Sequence, residues 1–166
     1  MKARKDPVAS QVEDKLKALG LALPDPPRPV GNYVPAVRYG HVVQTSGQTA
    51  RINGVRRYVG TVGRGVTPEE AYLSARDAML NCLACVKQAV GSLDRVRRVL
   101  KVTGFVNCVA GYTDQPAAIN GASDLLVELY GDVGRHARSA IGVHALPSNV
   151  SVELELTVEV DGDPAA

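Results

Sequence analysis

Between Val150 and Val160 every second residue is apolar (Val150, Val152, Leu154, Leu156, Val158, Val160), while Ser151, Glu153, Glu155, Thr157 and Glu159 occupy the positions between. A strict period of two fits a β-strand with one face buried and the other polar, and fits no helix. The chain must therefore build a sheet on which this strand lies one face down. Ahead of it, Ile141 and Val143 suggest a second strand, and Leu146-Pro147-Ser148-Asn149 offers turn residues between the two. Pro147 fixes its own φ, and Asn149 tolerates unusual dihedrals. The expectation is an antiparallel hairpin spanning Arg138 to Val160. Arg138 stands at its mouth, where the chain leaves Gly131 and Gly134, a place that can hold a guanidinium stiffly beside a cleft.

The preceding chain alternates strand and helix signals. Residues 1–9 look loose, and Ser10 with Glu13 then forms a capping-box pattern ahead of Val12, Leu16 and Leu19, with Gly20 as the stop. Four prolines between Leu23 and Pro29 exclude regular helix and predict an extended arm. Val37-Arg38-Tyr39 and Val42 to Thr45, turning at Gly40, read as a hairpin. Residues 51–65 show no clean period and read as loop with one short strand near Tyr58-Val59. Thr67-Pro68-Glu69-Glu70 starts a helix whose apolar stripe ends at Gly91. A strand over Val96 to Val109 follows, and Asp114 with Pro116 opens another helix that stops at Gly131. The order implies one domain, a mixed sheet with two helices on one face, flanked by an N-terminal helix and arm (1–29) and a fraying tail (161–166). The uncovered sheet face requires a partner, so a closed homo-oligomer with clefts at its seams is expected.

Composition narrows the function. The 19 basic and 17 acidic side chains are interspersed, and one Phe with no Trp offers few stacking platforms, so a nucleic-acid partner is not expected. No apolar run reaches the length of a membrane span or signal peptide, which predicts a soluble, cytoplasmic protein without membrane contact. Three cysteines argue against a disulfide framework. Cys82 and Cys85 lie inside a helical apolar stripe, where packing is the simpler role. The Gly63-x-Gly65 run lacks the ending of a phosphate loop, and His136 reads as a loop histidine facing solvent.

Taken together, GNYVPAV (Gly31 to Val37), TSGQ (Thr45 to Gln48), ING (Ile119 to Gly121) and ARSAIGVHALPSNVSVELE (Ala137 to Glu155) resemble the Rid family. These are reactive-intermediate imine and enamine deaminases, some long described as endoribonucleases or translation inhibitors. The resemblance covers residues 30–160 and implies a chorismate-mutase-like α/β (α+β) fold, a homotrimer with ligand sites between subunits, and no cofactor. It places Arg138 on the arginine that grips the substrate carboxylate and Glu153 on the glutamate that positions the attacking water. Tyr33, Ser46, Gly47 and Asn120 fall on site-lining positions. Ala140 stands where the best-studied members have a cysteine, Gly142 where they often have a glutamate, and the arm before Val30 is longer, so an altered pocket is expected.

The chemistry suits those residues. A planar guanidinium holds a carboxylate by two parallel hydrogen bonds, and a carboxylate within reach of water can orient it and take its proton. The expected reaction converts a small carboxylate-bearing imine or enamine, such as 2-aminoacrylate, to a 2-oxo acid and ammonium. Plainer roles stay open: Arg138 as an ion-pair partner of Glu153, Glu155 or Glu159, Glu153 as a solvated strand residue, Tyr33 as a strand-edge aromatic, and Asn120 as a helix residue bonded to backbone. The hairpin also raises a difficulty, since it would set Arg138 opposite about residue 157, with Glu153 about 13 Å along the strand. A site between subunits would remove it. The competing functions are a non-catalytic binding module for small carboxylates and an RNA-acting protein.

Overall fold

Residues 10–162 are described by the structure, a computed structural model; the expectations for 1–9 and for 163–166 lie outside the described residues. Helix α1 (Gln11–Ala18) starts at Ser10, whose hydroxyl accepts from the Glu13 amide. The capping box is only half formed, because Glu13 pairs with Lys87 at 2.9 Å. The first helical amides, Gln11 and Val12, donate instead to the Asp94 carboxylate at 3.0 and 2.9 Å, which places a negative charge at the positive end of the helix dipole. The arm that follows has no regular structure and lays Leu21 and Leu23 against the core.

Strands β1 (Ala36–Tyr39) and β2 (Val42–Thr45) form the expected hairpin, turning at Gly40 with φ 57°. Next come β3 (Gln48–Thr49), the antiparallel ribbon of β4 (Arg51–Ile52) and β5 (Val55–Arg56), and the parallel pair β6 (Thr61–Val62) and β7 (Gly65–Val66). The stretch expected to be loop is thus built of short strands, and none of them lies at Tyr58-Val59, where Val59 makes a single bridge to Val150. Asn53-Gly54 carries the ribbon. Both residues have positive φ, 49° and 79°, as a two-residue turn between twisted strands requires.

Helix α2 (Pro68–Val90) opens on a complete capping box between Thr67 and Glu70, as expected. Strand β8 (Val96–Asn107), helix α3 (Gln115–Tyr130), strand β9 (Ala137–Val143) and strand β10 (Val152–Val160) complete the fold. The main sheet has the order β1-β2-β10-β8-β9, with β3 also on β10. Along β10 the apolar residues Val152, Leu154, Leu156, Val158 and Val160 are fully buried under α2, and the polar residues between them are partly exposed. Helices α2 and α3 cover one face, as expected, and the expected N-terminal helix α1 leans on α3.

The terminal hairpin is not there. Strand β8 lies between β9 and β10, parallel to the first (Val102 opposite Arg138) and antiparallel to the second (Val102 opposite Leu156). The chain leaving β8 runs through α3 and returns beside β8 as a parallel crossover strand. The segment 144–151 then spans the end of β8 rather than closing a hairpin. Ser148 and Asn149 take positive φ in this passage, and the Asn107 amide ties it down by donating to Asn149 Oδ1 and to the Val150 carbonyl, each at 3.2 Å. Strand β10, paired on its other edge with β2 and β3, finds a long, largely buried neighbour in the twelve-residue β8 and not in the seven-residue, half-exposed β9.

Close approach of α2 and α3 sets the depth of this layer. A β-carbon on Gly121 would lie 1.9 Å from the Tyr72 carbonyl oxygen, and backbone cannot move aside as a side chain can. Gly121→Ala is expected to lower unfolding free energy in urea by about 2 kcal/mol or more.

Candidate active site

The TSGQ segment is a β-bulge. Gln44 opposes Thr157 and Gln48 opposes Leu154, so Thr45, Ser46 and Gly47 face only Glu155 and Leu156 on β10. A bulge bends its strand and re-aims side chains, and here each residue has a separate task. The Thr45 hydroxyl oxygen accepts from the Leu156 amide, which the bulge leaves without a ladder partner (3.1 Å). The Ser46 hydroxyl donates to the Val34 carbonyl at 2.6 Å, pinning the segment that carries Tyr33. Gly47 lies against Glu153 so closely that a β-carbon on it would be 2.0 Å from Oε1.

Tyr33, Gly47 and Glu153 share one cleft of about 210 Å³, floored by Pro147 and Ser148 and rimmed by the proline arm. Glu153 projects from the polar face of β10. Among the described residues its carboxylate has no hydrogen-bond or ion-pair partner, and burial, then the neighbouring Glu155, raise its pKa above the usual carboxylate value. A half-buried, accessible carboxylate whose pKa lies above the ordinary range is suited to exchanging a proton with a bound reactant.

Arg138 is elsewhere. It projects from the helix-covered side of edge strand β9, and its Nη1 donates to Asn120 Oδ1 at 2.7 Å and to Ser123 Oγ at 3.1 Å. Both hydrogens of that nitrogen are thereby used, which leaves the parallel Nε and Nη2 donors for an incoming group. Ser123 in turn meets His136 Nε2 at 3.1 Å, and His136 Nδ1 meets the Gly134 carbonyl at 2.7 Å. A carbonyl only accepts, so Nδ1 carries the proton and Nε2 receives the Ser123 hydroxyl hydrogen. Arg138 is thus positioned by a directed chain that needs neutral His136. Burial, then the Arg138 charge, lower the His136 pKa against the opposing pull of the Gly134 carbonyl.

The structure therefore divides the expected site into two halves. Tyr33, Gly47 and Glu153 line the cleft, and Ser46 braces it. Asn120 and Arg138 are bonded together at the β9 edge, with Ala140 next along the same face of the strand. Two strand spacings and three residues of register separate Arg138 from Glu153, about 14 Å on opposite sheet faces. Arg138 forms no ion pair with Glu153, Glu155 or Glu159 among the described residues. The space that a side chain at Gly142 would take is filled by the Gln115 amide, 2.6 Å from the β-carbon position, and by Cys108. His136 is half-buried rather than facing solvent, and Ser123 went unnoticed; a serine one helical turn after Asn120 was the available signal. Cys82 and Cys85 are buried in α2, where burial pushes the Cys85 thiol up to about 11, so they pack.

The two titrating groups give opposite slopes. Glu153 has a raised folded pKa, so its favourable contribution is complete below the unfolded value of about 4.3 and is lost as pH rises through the folded value. Glu153→Gln is expected to raise the urea midpoint at pH 7 to 8, with the gain vanishing near pH 4. His136 has a lowered folded pKa, so its contribution is complete above about 6.5 and is lost as pH falls through the folded value. Between pH 7 and 5 the decline in stability is expected to be shallower in His136→Asn than in wild type.

Residues 13–160 match the family described as "YjgF/chorismate mutase-like, putative endoribonuclease". The chain is 38% identical over 154 residues to "Protein TCP17" of Trypanosoma cruzi, spanning 92% of this chain and 96% of that one. It is 30% identical to a 2-iminobutanoate/2-iminopropanoate deaminase of Dermatophagoides farinae, over 85% of this chain and 95% of that one. The crystal structure of Atu1372 from Agrobacterium tumefaciens, a protein of unknown function, superposes with a TM-score of 0.86 at 41% identity, covering 91% of this chain and 93% of that one. The match to the family over residues 13–160, with the identity to the named relatives over nearly the whole chain, places this protein in the YjgF/RidA family.

Proposed function

We propose that this protein hydrolyses small reactive 2-iminocarboxylates and their enamine tautomers to 2-oxo acids and ammonium, in a site closed between two protomers of a homotrimer. The observation that carries the reading is the state of Arg138. Its guanidinium is fixed by two neutral oxygens, is balanced by no acid among the described residues, and keeps its Nε and Nη2 donors for a ligand. Two parallel donors of one charge match a carboxylate. The partly apolar uncovered sheet face, where Val37, Tyr39 and Ile141 are exposed, supports an assembly that brings the β9 edge of one protomer to the Glu153 cleft of the next.

In that arrangement Arg138 holds the carboxylate and so fixes the adjacent imine carbon. Glu153 orients a water on that carbon and takes its proton as the C–O bond forms. That proton passes to nitrogen to give the carbinolamine; Glu153 then takes the hydroxyl proton and delivers it to the amine as the C=O bond forms and the C–N bond breaks, so that the 2-oxo acid and ammonia leave, the latter gaining a proton in water. The raised pKa of Glu153 suits both receiving and returning the proton. Such imines hydrolyse unaided in water, so positioning suffices. Within the family this reading is supported by the relative named as an imine deaminase.

The test generates 2-aminoacrylate in situ from serine with a dehydratase and follows pyruvate release. Wild type is expected to accelerate it, with Arg138→Ala reducing the acceleration at least about a hundredfold, the worth of two charge-assisted hydrogen bonds. Gly47→Ala is expected to fold yet lose most of the rate, by pushing the Glu153 carboxylate aside. Full activity in Arg138→Ala overturns the proposal. Saturable 2-oxo acid binding without any acceleration would instead mark a binding module.

A further inference from the structure

Across the β4-β5 ribbon, Arg51 stands directly opposite Arg56. Like charges facing each other on neighbouring strands destabilise a ribbon, and one only two residues long per strand has little else to offset that cost. Neither arginine is neutralised from within the described chain. The nearby buried carboxylate of Asp77 is already taken by Arg57 at 2.9 Å and Arg76 at 3.7 Å, and among the described residues no ion pair includes Arg28, Arg51 or Arg56. The Arg51 Nε is buried and has no hydrogen-bond partner among the described residues, which is costly for a charged donor.

These features converge on the cleft that holds Glu153. Arg28, Arg51 and Arg56 all line it. The ribbon is held firmly there, since the Asn81 amide, buried in α2, donates to the Thr49 and Arg51 carbonyls at 3.1 and 2.9 Å. Arg28 is flanked by Pro27 and Pro29, which restrict the backbone that carries it. A like-charged pair on a braced hairpin, an orphaned buried donor and a third cation on a stiff arm make a site for a second anion.

We propose that Arg51, Arg56 and Arg28 form a subsite for a distal carboxylate, so that the substrate is a 2-iminocarboxylate with an acidic side chain. This rests on the deaminase reading for the identity of the reacting group and deepens it by naming the side chain. Arg138 from one protomer holds the carboxylate beside the imine carbon, and the three cleft arginines of the next hold the one at the far end. The cross-strand repulsion between Arg51 and Arg56 is offset by the bound charge.

The experiment compares 2-oxoglutarate with 2-oxobutanoate, as product analogues with and without a distal carboxylate, by calorimetry on the full-length protein. Wild type is expected to bind 2-oxoglutarate at least tenfold more tightly, and Arg51→Gln and Arg56→Gln are each expected to bring that ratio close to one. Equal affinities in wild type, or a ratio that survives in both variants, overturn the subsite. Imines made in situ from glutamate and alanine with amino-acid oxidases provide the second readout. If both are hydrolysed without preference for the glutamate imine, the subsite fails while the deaminase reading stands. If neither is hydrolysed but the Arg51-dependent preference for 2-oxoglutarate persists, the deaminase reading fails and the anion subsite stands.

Discussion

The pairing of β8 with both β9 and β10 is the constraint on which the rest of the molecule depends. It gives the alternating strand β10 a long buried neighbour and lets five apolar side chains pack under α2. It also brings β9 in as an edge strand, set by the crossover through α3. Because β8 occupies the middle, Arg138 and Glu153 are held apart and on opposite faces. The same pairing that completes the core leaves the candidate site in two halves, and this is why the proposed chemistry requires a second copy of the chain.

The Arg138 half is braced by neutral hydrogen bonds instead of by opposite charges, and the Glu153 half leaves its carboxylate without a partner among the described residues. Asn120, Ser123 and His136 hold Arg138 without cancelling its charge, and Gly47 gives Glu153 room while supplying no partner. The third element, the β4-β5 ribbon, sets two arginines face to face on a backbone tied down by Asn81. A desolvated carboxylate and a like-charged pair both cost folding free energy, and both open on one cleft. Stability given up at a site is recovered elsewhere, here in the packing of α2 and α3 across Gly121 and in the complete capping box of α2.

Several elements were legible locally because their signals are local. Thr67-Pro68-Glu69-Glu70 starts a helix wherever it occurs, and Gly40 between two apolar runs turns a hairpin. Asn53-Gly54 was an equally local signal, passed over because the flanking strands are too short to show a period. The conjunction of GNYVPAV, TSGQ and ARSAIGV was enough to indicate the family, and with it the list of candidate residues.

What the sequence by itself determined is therefore the elements, their caps and the chemical inventory of the site, since side-chain period, turn dihedrals and capping depend on neighbours a few residues away. Only the tertiary structure decided which strand lies beside which, and with it the rest: Asp94 capping α1 from a distant 3₁₀ turn, Arg138 resting on Asn120 and on a Ser123 held in turn by His136, and Arg51 opposing Arg56 in the cleft of Glu153. Pairing between distant segments is settled by which neighbour buries more surface and satisfies more backbone groups. The hairpin suggested by Leu146-Pro147-Ser148-Asn149 lost to β8 on that ground, because turn residues permit a reversal but cannot choose the strand that follows it.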